Sequence, residues 1–379
     1  MYIERRDVCG YPHMTGNNQD TEVNSENGRK RLVRGCFAGE GYVFAKKAED
    51  IALEHGLERV ARLASNENPE PPGPQAIEEG CRALRQSNRY PDENMGALTE
   101  MLRQYHGGYH FVTGVGMDGI IETIIRLLVD RGDSIAISIP TFSFYELAAT
   151  AQGGQVIRIP RENDFSVDCR KFADIARNAK VSFLCTPNNP TGNETPPEEV
   201  AELLEELEGI LFVDNAYVEF SDMDYRYLMD RYDNLVLGRT MSKAFSMAGL
   251  RVGYAFVPEW ILPFYRSAAT PFTLNSVSAA AATAALRDRE HVSRIVSQVK
   301  RWRKRYRDEC AYPVLPSAAN FVLVDTAPFT GDQMAEKLAA RGVVVRSCRS
   351  FRGLDDRYIR VGIGEDWENE RFLEEINSI

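Results

Sequence analysis

No apolar run in the chain is long enough to cross a bilayer as a helix, which excludes a protein that spans a membrane in that way. Positive charge is not in excess either: 45 lysines and arginines stand against 55 aspartates and glutamates, a formal net charge of −10. Binding a nucleic-acid backbone needs a basic face, so nucleic acid is excluded as the main partner, while one cationic pocket for a small anion remains open. Cysteine pairs of the CxxC kind are missing as well. The seven cysteines (Cys9, Cys36, Cys81, Cys169, Cys185, Cys310, Cys348) are scattered singly with no signal-peptide pattern ahead of them, and are expected to be reduced thiols of a cytoplasmic protein. Histidine is scarce. The one i, i+4 pair, His106 and His110, encloses Gly107 and Gly108, which disfavour the helix a metal pair needs, so no metal site is expected.

What is present is the balance of a soluble globular protein, 44% apolar and 26% charged, in a chain of 379 residues. That length exceeds one ordinary core and predicts a large domain with a smaller companion. Residues 1–34 are polar, rich in asparagine, glycine and charge, and read as a disordered leader. From Tyr42 to Leu63 the pattern is helical, until "ASNENPEPPGP" breaks it with prolines and glycine. Beyond it, short apolar runs ("HFVTGVG", "SIAISIP", "QVIRIP", "VSFLCTP", "ILFVDNAY", "LVLGRT", "RVGYAFVP") alternate with amphipathic stretches. Continuous apolar strands separated by helices predict a mostly parallel sheet covered on both faces. In "TPPEE" Thr195 is the expected N-cap, with Glu198 completing a capping box. After about residue 265 a long basic amphipathic helix leads to short strands "NFVLV", "VVVR" and "YIRVGIG", which predict a separate α+β domain.

Ligands of open parallel sheets lie beyond the carboxyl ends of the strands, so the polar residues there carry the information. Asp214, directly after "ILFV", would place an anion in a semi-buried crevice and needs a cation or a strong donor to meet it. Lys243 follows a strand end and precedes the small-residue stretch "AFSMAG"; as a lone lysine it could equally be solvated. A lysine held out of bulk water becomes a neutral amine more readily and can attack a carbonyl to form a Schiff base. Gly114, Gly116 and a helix starting near Asp118 form a strand–glycine–helix junction whose free N–H groups suit a phosphate, although alone they could be a tight turn. Arg251 adds a phosphate-pairing guanidinium.

The set "CTPNNPTG", "VDNAY", "SKAFSMAGLRVGY" and "YIRVG" resembles the fold-type-I pyridoxal-phosphate aminotransferases; "LASNENP", "RYPD", "PTFSFY" and "ANFVLV" resemble their histidinol-phosphate branch. The resemblance covers residues 41–379. It implies an α/β fold with a mostly parallel seven-stranded sheet between helices and a smaller α+β domain. The implied division is a leader over 1–34, a segment over 35–65 packing with the small domain, a large domain over 66–265 and a small domain over 266–379. It implies that Lys243 bonds pyridoxal 5'-phosphate and shuttles the proton, that Asp214 pairs with the ring nitrogen, and that Tyr217 and Asn189 donate to the ring oxygen. Phe142 would lie against the ring. Gly116, Met117, Thr240, Ser242 and Arg251 would hold the phosphate, with Tyr90 reaching in from a partner subunit of a homodimer. Arg360, Arg346, Tyr42 and Asn66 would meet the substrate. Two positions depart from the family pattern: Gly119 follows Asp118, and Glu70 follows "NENP".

The implied reaction is amino transfer between an amino phosphate, histidinol phosphate, and 2-oxoglutarate, giving glutamate, in histidine biosynthesis. A phosphate monoester carries nearly two charges at neutral pH, which suits two guanidiniums. Alternatives are a threonine-phosphate decarboxylase, whose tail resembles "RSCRSFRGLDDRYIRV", and an aromatic or general amino-acid aminotransferase. A cofactor-binding transcription regulator would need a helix-turn-helix domain, for which the leader is too short and irregular.

Overall fold

The computed structural model describes residues 29–38, 41–43 and 47–379. Most of the expected leader, residues 1–28, lies outside them. Residues 1–40 and 41–379 are separate compact units. In the first, the short 3-10 turn Gly35–Phe37 carries Arg34 over the Phe37 ring.

Within residues 41–379, the helical pattern expected from Tyr42 to Leu63 is realised, among the described residues, only over Ala48–His55. Gly56 ends that helix at φ +64°, and Ala61–Arg62 form strand β1 instead. The main sheet has seven strands: β2 (Phe111–Val115), β3 (Ser134–Ile139), β4 (Gln155–Pro160), β5 (Val181–Cys185), β6 (Ile210–Asp214), β7 (Leu235–Thr240) and β8 (Val252–Phe256). Their order is β2-β8-β7-β6-β5-β3-β4, and only β8 runs against its neighbours. All residues of β5, β6 and β7 are buried, which is why these strands read as unbroken apolar runs.

The helix Gly116–Leu128 shows how the cover is built. Ile120, Ile121, Ile124 and Ile125 recur at helical spacing and are all buried against the sheet, each contributing about 1.5–3 kcal/mol of apolar burial. One detail differs from the sequence reading. The helix Pro197–Glu206 has Pro196 as its N-cap and no side-chain cap, so Thr195 and Glu198 form no capping box. In such a box Glu198 would accept from the Thr195 N–H, which is already taken. The Thr195 backbone instead bonds Thr186 Oγ1 through its N–H and accepts from Tyr225.

Past residue 265, Asp288 caps the 21-residue helix Arg289–Glu309 through the His291 N–H. There follow β9 (Phe321–Asp325), β10 (Val343–Val344), β11 (Arg346–Ser347) and β12 (Tyr358–Gly362). Strands β11, β12 and β9 form an antiparallel sheet, and β10 pairs in parallel with β1. His106 ends the helix Gly96–His106 and hydrogen-bonds the Tyr254 hydroxyl at 2.8 Å.

Candidate active site

The carboxyl ends of β5, β6 and β7 and the start of the helix Gly116–Leu128 converge on a cavity of about 180 Å³. Asp214, Tyr217, Asn189, Lys243, Arg251 and Arg360 all line it, as do Tyr42, Asn66, Met117, Phe142, Thr240 and Ser242. The sequence reading named these residues; the fold brings them together from segments as far apart as residues 42 and 360.

Lys243 is enclosed, and its Nζ donates to the Asn66 carbonyl at 3.1 Å. Burial, and then the nearby Arg360 guanidinium, push its ammonium down from 10.5 to about 8. A substantial fraction is therefore neutral amine in mildly alkaline solution. The Asn66 carbonyl is also held by Asn320 Nδ2 at 3.0 Å, and the Asn66 side chain donates to the Tyr217 hydroxyl at 3.3 Å. Asn66 sits at φ +53°, a conformation asparagine tolerates better than most residues.

Asp214 is 3% exposed at the end of β6. No cation bonds it. Two donors do: the Tyr145 hydroxyl to Oδ2 at 2.6 Å and the Ala216 N–H to Oδ1 at 3.0 Å. Burial raises its carboxyl to about 6, and those two hydrogen bonds hold it from rising further. Tyr145 was missed in the sequence. It stands three residues after Phe142 in the first turn of the helix Phe144–Gln152, and its ring stacks on Phe183 at 4.7 Å.

At the opposite wall, Gly116 leaves β2 at φ +68° and donates its N–H to the Arg251 carbonyl at 2.9 Å; the helix starts without a capping side chain, and Met117 and Asp118 of its first turn line the cavity. A Cβ at Gly116 would stand 2.7 Å from Arg251 Nη2. Arg251 therefore lies directly on the glycine, with Nη2 also donating to Asp118 at 2.9 Å. The Thr240 and Ser242 hydroxyls lie 2.9 Å apart beside it. Helix N-terminus, guanidinium and two hydroxyls make a cradle for a phosphate.

Arg360, 7% exposed, donates to Asn189 Oδ1 at 2.6 Å and to the Ala64 carbonyl at 2.7 Å. Arg346 faces it directly across the β11–β12 pair and donates to the Val43 carbonyl at 2.6 Å and Ser350 Oγ at 3.1 Å. Among the described residues, Asn66 Oδ1 and Arg360 Nε are buried without a hydrogen-bond partner, the expected condition of groups that wait for a ligand. Tyr90 does not line the cavity of its own chain. It is 81% exposed and stacks on Phe272 at 4.5 Å. Of the two departures, Glu70 accepts from Arg294 of the long helix, and Gly119 O accepts from Thr123.

A lysine poised as an amine, a buried carboxylate and a phosphate cradle around one cavity define a site for a phosphorylated carbonyl ligand. The sequence pattern of the family described as aminotransferase class I and II matches residues 58–376, and the chain belongs to that family. It is 60% identical over 351 residues to the histidinol-phosphate aminotransferase of Methanoculleus marisnigri, covering 92% of this chain and all of that one. The corresponding protein of Methanosphaerula palustris is 56% identical over 343 residues, covering 90% of this chain and 97% of that one. In fold, the chain matches the Sinorhizobium meliloti histidinol-phosphate aminotransferase in complex with pyridoxal-5'-phosphate, with TM-score 0.82 at 24% identity over 91% of this chain and 96% of that one.

Proposed function

We propose that this chain is a pyridoxal-phosphate-dependent transaminase that moves an amino group between histidinol phosphate and 2-oxoglutarate in histidine biosynthesis. One observation carries the choice of a phosphate-bearing substrate. Arg346 and Arg360 occupy directly facing positions of an antiparallel pair; Arg360 lines the cavity, and Arg346, which does not, stands next to it across the pair. Like charges so placed repel. Burial and then Arg360 push the Arg346 guanidinium below its ordinary value, a strain that a dianionic phosphate between them relieves. The 60% identity to a protein of that name supports the same reading.

The residues fit the cofactor. The cradle of Gly116, Met117, Thr240, Ser242 and Arg251 would hold its phosphate, Asp214 its ring nitrogen, Tyr217 and Asn189 its ring oxygen, and Phe142 one ring face. When bound, the cofactor supplies an electron sink for the substrate's α-carbon. Lys243 supplies a neutral amine near pH 8 and, held by the Asn66 carbonyl, is the group placed to carry a proton to and from the substrate. Tyr145 and the Ala216 N–H keep Asp214 ionised at neutral pH despite burial. Arg360, fixed by Asn189 and Ala64, orients the substrate's anion, and Tyr42 closes the cavity beside Phe142 at 6.1 Å between ring centroids.

The working form in this proposal is a cytoplasmic homodimer, with Tyr90 of the partner subunit completing the phosphate cradle. The exposure of the Tyr90–Phe272 stack supports it. Residues 266–379 act as the smaller domain, and the parallel pairing of β1 with β10 supports packing of the N-terminal segment on it. The test is to supply the holoenzyme with 2-oxoglutarate and either histidinol phosphate or histidinol. Glutamate should form from the first at least about a hundredfold more efficiently, since two charge-assisted contacts of about 1.5–3 kcal/mol each are lost with the phosphate. Equal efficiency would sink the phosphate reading.

A further inference from the structure

Two charged side chains lie buried behind the cavity and line none of it. Arg239 Nη1 stands 3.7 Å from Glu219 Oε1, and each side chain is 9% exposed. Around them stand the rings of Tyr105, His106, Tyr254 and Phe256 together with the charges of Asp224, Arg226 and Arg289. The Arg239 guanidinium lies 5.4 Å from the Phe256 ring centre. Among the described residues, both carboxylate oxygens of Glu219 and Nε of Arg239 are buried without a hydrogen-bond partner. Removing two charges from water costs more than a loosely matched pair returns, and apolar residues of similar volume are often as stable or more so. Stability therefore gives no reason for the pair.

Its place in the chain gives one. The parallel ladder between β6 and β7 ends at Asp214 and Gly238, with one further bond from the Asn215 N–H to the Gly238 carbonyl. Beyond that point the two segments run unladdered, one carrying Tyr217 and the other carrying Thr240, Ser242 and Lys243. Glu219 sits in the 3-10 turn Val218–Phe220, two residues after Tyr217. Arg239 immediately precedes Thr240. The ion pair thus joins the two segments just past the end of their ladder.

We propose that Glu219 and Arg239 are positioning residues that set the separation of Tyr217 from Lys243 and of both from the phosphate cradle. The inference rests on the reading of Lys243 and Tyr217 given above. Neither side chain touches cofactor or substrate; they act through the segments they join. A reason to use charge rather than packing follows from the cost of separation. Parting the two segments would leave each charge buried without its partner, so the pair resists their moving apart, whereas an apolar contact carries no such penalty.

The test compares wild-type holoenzyme with the double variant Glu219→Leu/Arg239→Met, which fills the space without charge, and with the isosteric Glu219→Gln. Three quantities are read: the unfolding temperature, the absorbance spectrum of the bound cofactor, and the rate of cofactor release into a scavenger. The double variant should unfold at or above the wild-type temperature, yet show a shifted spectrum, cofactor release faster by roughly tenfold or more, and a lower kcat at little-changed KM. Should the double variant fail to fold, Glu219→Gln carries the test with the same spectral and release readouts. Wild-type release and spectrum in whichever variant folds would overturn the proposal. A wild-type protein that captured no cofactor at Lys243 would instead overturn the reading on which it rests.

Discussion

Replacing Tyr145 by phenylalanine removes one hydroxyl and leaves the ring stack on Phe183 in place. That hydroxyl donates to Asp214 Oδ2 at 2.6 Å inside the core. A hydrogen bond to a charged group contributes about 1.5–3 kcal/mol. At about 1.4 kcal/mol per pKa unit, its loss raises the Asp214 carboxyl by about 1 to 2 units. The starting value is about 6. At pH 7 the ionised fraction should fall from about nine tenths to between roughly one half and one tenth. Only the carboxylate can pair with a protonated ring nitrogen, and it is the form present above the pKa, so raising the pKa moves the binding limb to higher pH. The assay is pyridoxal-phosphate binding to cofactor-free protein, followed by absorbance from pH 5 to 9. Wild type should bend near pH 6; Tyr145→Phe should bend about 1 to 2 units higher and bind roughly two- to tenfold more weakly at pH 7. A bend left near pH 6 with unchanged affinity would refute the role given to Tyr145.

The remaining expectations concern the lysine, the cradle and the arginines. Borohydride treatment of the wild-type holoenzyme should fix the cofactor permanently to the peptide that contains Lys243, and Lys243→Ala should retain none; fixation in that variant would remove Lys243 from its role. Capture of cofactor by wild type should speed up as pH rises through about 8, because the neutral amine is the form present above the pKa, and a limb near 10.5 would contradict the enclosed lysine. Gly116→Ala places a side chain at φ +68° and 2.7 Å from Arg251 Nη2. It should cost about 1–3 kcal/mol of stability in denaturant melts and weaken cofactor binding as Arg251 is pushed aside. Arg360→Ala and Arg346→Ala should each lose about 2 kcal/mol of transition-state stabilisation, roughly thirtyfold in kcat/KM with histidinol phosphate, and unchanged efficiency would refute them.

Much of this architecture can be read before any coordinates. The runs "VSFLC", "ILFV" and "LVLG" are apolar throughout because β5, β6 and β7 are buried on both faces, and Asp214 and Lys243 stand out because polar residues follow those runs. The direction of β8 is a different matter. "RVGYAF" is as apolar as its neighbours whichever way it runs. It turns back because the short stretch between Thr240 and Val252 is too brief for the crossover a parallel strand needs. Tyr145 escaped because nothing within "PTFSFY" points to a carboxylate 69 residues away. Thr195 misled because a cap signature says nothing of a buried partner such as Thr186. The facing register of Arg346 and Arg360 likewise belongs to strand pairing, which residue types alone do not specify.

The central claim is amino transfer from a phosphate-bearing donor, and one measurement meets it directly. The holoenzyme is given histidinol phosphate with 2-oxoglutarate, and separately threonine phosphate, while glutamate and carbon dioxide are followed in both. The account predicts glutamate from the first mixture, one per histidinol phosphate consumed, and no carbon dioxide from either. Carbon dioxide from threonine phosphate without glutamate from histidinol phosphate would contradict it and make the protein a decarboxylase built on the same fold.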